Sequence, residues 1–139
     1  MRLLPCLLLL APLLLMGCGR DNSAGVFSSD PMLGCYATHV RKPAEFRIEQ
    51  QSGQYYVSFN RDEQWQRDAT PLQASSRAEI AQFFRDDADQ IDTALVRPGG
   101  GFGIFKFTPG ASLKGKAKDS DYMALVLIGA GPVFPVKCP

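Results

Sequence analysis

The sequence predicts an α+β domain, mainly antiparallel β, as a curled sheet or small barrel with one packed helix and one disulfide. Three observations carry that reading. Nine Phe, four Tyr and one Trp share the chain with 13 Gly and 10 Pro, a composition that favours strands and turns over a helical bundle. Several stretches alternate apolar with polar residues, whereas only one opens with a helix-start signal. Two cysteines, Cys35 and Cys138, stand near the two ends of the patterned region, and an oxidising compartment would pair them.

Gly34-Cys35-Tyr36 starts the sheet. Phe46 and Ile48 alternate with Arg47 and Glu49, and Tyr55, Val57 and Phe59 alternate with Tyr56 and Ser58. Two such period-2 runs joined through Gln51-Ser52-Gly53 read as a β-hairpin. Arg61 to Arg67 follows as a charged loop or edge around the sole Trp65. Ser76-Arg77-Ala78-Glu79 then has the spacing of a capping box, in which the Ser and Glu side chains each satisfy a free backbone N–H. Ile80, Phe83, Phe84, Ala88 and Ile91 fall on one side of a 3.6-residue repeat and are expected to pack on the core. Clustered Asp at a helix C-terminus opposes the helix dipole, so the helix should stop near Asp86.

Ala94 to Val96 reads as a short strand and Phe102 to Phe107 as a stronger one, ended by Thr108-Pro109-Gly110. Tyr122 to Ile128 and Val133 to Lys137 bracket Gly129-Ala130-Gly131-Pro132. They predict a second hairpin with a buried first strand and, given Pro132 and Pro135, a second strand at a sheet edge.

The chain begins with Arg2, an apolar run from Leu3 to Met16 broken by Pro5 and Pro12, and then Gly17-Cys18. That is the layout of a secretory signal peptide. At 1.5 Å per residue the run reaches ~21 Å, short of the ~30 Å hydrocarbon thickness of a bilayer. Leu15-Met16-Gly17-Cys18 resembles the lipobox of bacterial lipoproteins, with Met16 where a smaller residue is commoner. The resemblance implies removal of residues 1–17 and lipidation of Cys18. Two or three acyl chains anchor a protein stably without a spanning helix. Under the enteric sorting rule that accompanies the resemblance, Gly19 favours the outer membrane, facing the periplasm. Residues 18–31 then form the lipidated cysteine and a polar tether, reaching ~45 Å at most from Gly19 to Pro31, and residues 32–139 form a single domain.

Charge excludes one class of partner. The chain has 15 Lys and Arg against 14 Asp and Glu, and loss of Arg2 brings the two to balance, which argues against nucleic acid. His39 is the only histidine, and no spacing places an acid or nucleophile beside it. Cys35 lies four residues before it, but a disulfide would consume the thiol. Asp86, Asp87, Asp89 and Asp92 offer oxygens of the kind calcium takes, yet the stretch lacks the turn glycine and closing Glu of an EF-hand loop and reads as a solvated helix end. Gly99-Gly100-Gly101-Phe102-Gly103 lacks the Gly-Lys-Ser/Thr continuation of a phosphate loop. Lys114, Lys116 and Lys118 read as a hairpin tip whose charge Asp119 and Asp121 partly cancel. No catalytic residue, metal or cofactor is assigned.

The lipoprotein resemblance therefore sets the functional expectation. It is of an envelope protein, not an enzyme, that binds a protein partner, as inhibitors and immunity lipoproteins do, with an accessory role in an envelope assembly as the alternative. Trp65, Arg61, Arg67, Asp86, Asp87 and Asp89 are the expected contact residues, because Trp and Arg dominate binding hot spots.

Overall fold

A computed structural model describes residues 30–139, apart from the side chains of Lys116 and Ala117. The signal segment, Cys18 and the tether up to residue 29 lie outside the described residues. The strands are β1 (Gly34–Ala37), β2 (Phe46–Gln51), β3 (Gln54–Arg61), β4 (Gln64–Arg67), β5 (Gln73–Ala74), β6 (Ile91–Val96), β7 (Phe102–Phe107), β8 (Ser112–Leu113), β9 (Lys116–Ala117), β10 (Tyr122–Val126) and β11 (Gly129–Val136). Nine form one sheet in the order β4-β3-β2-β1-β11-β10-β7-β6-β5, and β8 and β9 make a separate hairpin. Every pairing is antiparallel.

The large sheet consists of two halves that share β11. Residues 129–133 of β11 pair with β10, and residues 134–136 pair with β1. On the opposite side Leu72, just ahead of β5, bridges Tyr55 of β3, its N–H donating to the Tyr55 carbonyl at 2.8 Å. The sheet thus curls toward closure, as the sequence predicted.

The concave side holds the main core. Tyr36, Phe46, Ile48, Val57, Phe102 and Ile104 are buried there with Val133. Phe46 stacks on Tyr36 at 5.3 Å and meets Phe102 edge-on at 5.5 Å. Burial pushes the Tyr36 phenol upward, and its hydroxyl donates to the Met32 carbonyl at 2.8 Å. A second cluster lies on the convex side of the β6-β7-β10 half, where helix α1 (Arg77–Phe84) and the following 3-10 turn (Arg85–Gln90) cover Phe105 and Phe107. The Cys35–Cys138 disulfide, with Cα atoms 5.3 Å apart, joins β1 to the chain beyond β11. A loop of about 100 residues is worth ~4.7 kcal/mol in the chain-entropy model.

Several elements differ in detail from their sequence pattern. The capping box forms as expected, with both reciprocal bonds present, but α1 ends at Phe84 where Arg85 turns to φ +50°. Ala88 belongs to the 3-10 turn and Ile91 opens β6. Phe83 is 60% exposed, although its ring still reaches Phe105 at 5.9 Å between centroids. The second hairpin turns at Leu127-Ile128, and Gly129 to Pro132 lie within β11. Its first strand, β10, expected to be buried, buries only Ala124, and its last residue, Val126, runs out into the exposed turn at Leu127-Ile128. Pro132 and Pro135 sit in an interior strand. Each is tolerated because each half of β11 has a strand on one side only, so neither missing N–H interrupts a two-sided ladder. At the start, Asp30 and Pro31 belong with the folded domain: Asp30 accepts from the Tyr55 hydroxyl, and the Pro31 carbonyl accepts from the Tyr122 hydroxyl at 2.7 Å.

Candidate functional site

Alternation along β2, β3 and β4 places Phe46, Ile48, Val57 and Phe59 on the concave side. Arg47, Glu49, Tyr56, Ser58, Trp65 and Arg67 therefore share the convex side. The register aligns Arg47 with Ser58 and Ser58 with Arg67 in one row across three strands. No helix covers this face. Both arginines lie against aromatic rings: the Arg47 guanidinium is 4.6 Å from the centroid of Trp65, and that of Arg67 is 5.1 Å from the centroid of Tyr56.

Glu49 sits between the two cations. Its carboxylate lies 3.2 Å from Arg47 Nε and 3.6 Å from Arg67 Nη2, and it accepts from the buried Ser58 hydroxyl at 2.5 Å. Burial alone would raise the Glu49 carboxyl. The Ser58 hydrogen bond and the two guanidinium charges outweigh it and hold the group below the usual carboxylate range. Arg67 also donates to the Gln51 side chain. The effect is to fix two flexible arginines over two rings, so much of their side-chain freedom is already lost in the folded chain.

Beside this platform a cleft of about 560 Å³ runs between Trp65, Asn60 and Glu63 on one side and Lys137 to Pro139 on the other. Its shape depends on the disulfide, which holds the chain beyond β11 across the convex face. The β3–β4 turn that carries Glu63 is tight, with Asp62 and Glu63 both at positive φ.

The remaining sequence candidates lie elsewhere. Arg61 is exposed at the end of β3. Asp86, Asp87 and Asp89 are in the 3-10 turn over the other half of the sheet, so the structure does not bring them to Trp65. Asp87 accepts from the Lys114 backbone N–H at 3.1 Å, and Asp92 pairs with Lys106 at 2.9 Å. Among the described residues no group of three or more His, Cys, Asp or Glu is arranged to hold a metal ion. His39 is exposed and accepts from the Arg41 N–H at 3.1 Å. Sequence reasoning singled out Trp65 and Arg67 but missed Arg47, Glu49 and Tyr56, whose alternation with Phe46, Ile48 and Tyr55 already placed them on one face.

No helix among the described residues is long and apolar enough to cross a membrane. Comparison with known protein families, with curated proteins and with solved structures finds no match to this chain.

Proposed function

We propose that this chain is a lipid-anchored cell-envelope protein, tethered through Cys18, that binds a protein partner through the convex face of β2, β3 and β4. The observation that supports the partner surface is the pre-ordered pair of arginine–aromatic contacts on a sheet face that no other element covers. Trp, Tyr and Arg are the residue types that dominate binding energy at protein interfaces, and here they are held in place by a shared carboxylate. On this reading the partner is an enzyme that attacks the envelope, and the chain acts as its inhibitor or immunity protein.

The test uses the full chain with Cys18→Ser as bait on envelope and secreted extracts, alongside the same bait carrying Trp65→Ala. Retention of a hydrolase or toxin by the first bait and its loss from the second is the expected result, followed by inhibition of that enzyme in its own assay. Capture of resident assembly proteins, unchanged by Trp65→Ala, would replace this reading with an accessory role. The anchor has its own readout: Cys18→Ser should move the protein from the membrane fraction to the soluble one.

A further inference from the structure

The two ends of the curled sheet differ in what they expose. At the end where the described chain enters, the Pro31 carbonyl accepts from the Tyr122 hydroxyl, and the turns are polar: Gln51-Ser52-Gly53-Gln54, Thr108-Pro109-Gly110 and Asp119-Ser120-Asp121. β10 runs from Tyr122 to the opposite end. There its turn leaves Leu127 89% and Ile128 96% exposed, with Val126 at 38% beside them. Hairpin tips ordinarily carry polar or turn-forming residues, so two adjacent aliphatic side chains in water need a reason.

The adjoining loops extend this apolar end. Val126 aligns with Phe102, which sets the β6–β7 turn next to the tip. That turn is Pro98 and three glycines, and Leu127 lies against Gly101, where an added Cβ would come within 3.8 Å of its side chain. On the concave side Ile128 shares a groove with Thr38 and Glu45, which brings in the loop after β1. Val40 in that loop is 60% exposed, and Arg41 and Lys42 follow it. Lys42 is paired with Glu45 at 3.1 Å, so apolar burial rather than charge must drive any contact here.

We propose that this tip dips into the surface of the phospholipid bilayer that holds the chain, an inference that rests on the Cys18 tether proposed above. Residues 18–29 reach ~40 Å at most, whereas β10 and its turn, from Tyr122 to Ile128, span only ~20 Å. The chain is therefore long enough to run back past the domain and bring the tip to the same surface as the acyl chains. Tethering makes that contact intramolecular. Burial of two aliphatic side chains, each strengthening binding roughly tenfold, is then sufficient to hold it.

The strand behind the tip fixes the depth. A two-residue turn makes Val126 and Gly129 the first hydrogen-bonded pair of the hairpin. The register then leaves the Ala130 N–H and C=O and the Pro132 C=O unpaired among the described residues. Such groups are too costly to take into hydrocarbon. Ala130 lies ~7 Å behind Ile128, so Leu127 and Ile128 enter the acyl boundary while Ala130 stays among headgroups and water.

The test uses the full chain, processed and lipidated in a bacterial host, in vesicles of phosphatidylethanolamine and phosphatidylglycerol brominated either near the headgroup or near the terminal methyl. In a Trp65→Phe background, Leu127→Trp should lose about half of its indole emission to the shallow bromines and less to the deep ones. Gln50→Trp, at the polar end of the sheet, should lose little to either. Adding Ile128→Asp, at a position too exposed to affect folding, should weaken the Leu127→Trp quenching at least about twofold. Vesicle flotation reads the anchor separately. A chain that floats without quenching of Leu127→Trp overturns this inference and leaves the anchor standing, whereas a chain that floats no better than Cys18→Ser removes both. Leu127→Trp emission that is already blue-shifted in solution and indifferent to bromine would give the tip to a second copy or another protein, and would overturn the inference as well.

Discussion

The two halves of the curled sheet share one strand and one core but treat their convex sides differently. In the β6-β7-β10 half that side is roofed by α1 and the 3-10 turn. In the β2-β3-β4 half it is left to solvent. The difference is written in the strands themselves. Phe102-Gly103-Ile104-Phe105-Lys106-Phe107 carries large apolar residues on both sides, and all but Lys106 are buried. Gln54 to Arg61 places Val57 on one side and Tyr56 and Ser58 on the other. A strand that is apolar on both sides requires a second layer, whereas an alternating strand does not. The roofed half spends its convex side on stability, and the open half is free to present ordered arginines and aromatics.

Substitution at matched positions would break this comparison most directly. Phe105 is 2% exposed and meets Phe84 edge-on at 5.0 Å, so Phe105→Ala should cost ~3–5 kcal/mol in denaturant unfolding. Tyr56→Ala, on the open half, should cost about 1 kcal/mol or less. Equal losses at the two sites would mean that the convex face of β3 is covered in solution.

A smaller effect tests the roof alone. Ser76 accepts from the Glu79 N–H and begins the only α-helix among the described residues, so Ser76→Ala should lower the unfolding free energy by ~1 kcal/mol. Hydrogen exchange should rise at Phe105 and Phe107 and stay unchanged at Tyr56 and Ser58.

The smallest effect belongs to the open half and depends on pH. Glu49 is held below its ordinary value of 4.5, so its contribution is present above that value and is lost as pH falls through the lower folded value. The pair is surface-accessible, and the loss should be under about 1 kcal/mol. It should vanish in Glu49→Gln, and carbon NMR of the Glu49 carboxyl against pH would show the depressed titration directly.

Much of this was legible along the chain. The hairpin of β2 and β3, the capping box, the strand from Phe102 to Phe107 and the pairing of the two cysteines all follow from local patterns and elimination. The second hairpin did not. Gly129 and Gly131 look like a turn because glycine is the commonest turn residue, and Leu127-Ile128 look like strand because aliphatic residues usually are. The structure reverses them, with the aliphatic pair at the tip and the glycines in the strand wall. The candidate site was half legible: Trp65 and Arg67 stood out as residue types, while Arg47, Glu49 and Tyr56 became part of it only once the register set them beside one another.

The sequence by itself determined which residues alternate and where the helix begins, because those depend on neighbours one to four positions away, and it pointed to Cys35 and Cys138 as the pair by elimination. Only the tertiary structure decided which half of the sheet would be roofed, that β11 would pass from one half to the other, and that Arg47 and Arg67 would share Glu49. Those outcomes depend on contacts between strands far apart in the chain, and local periodicity carries no information about which strand becomes whose neighbour.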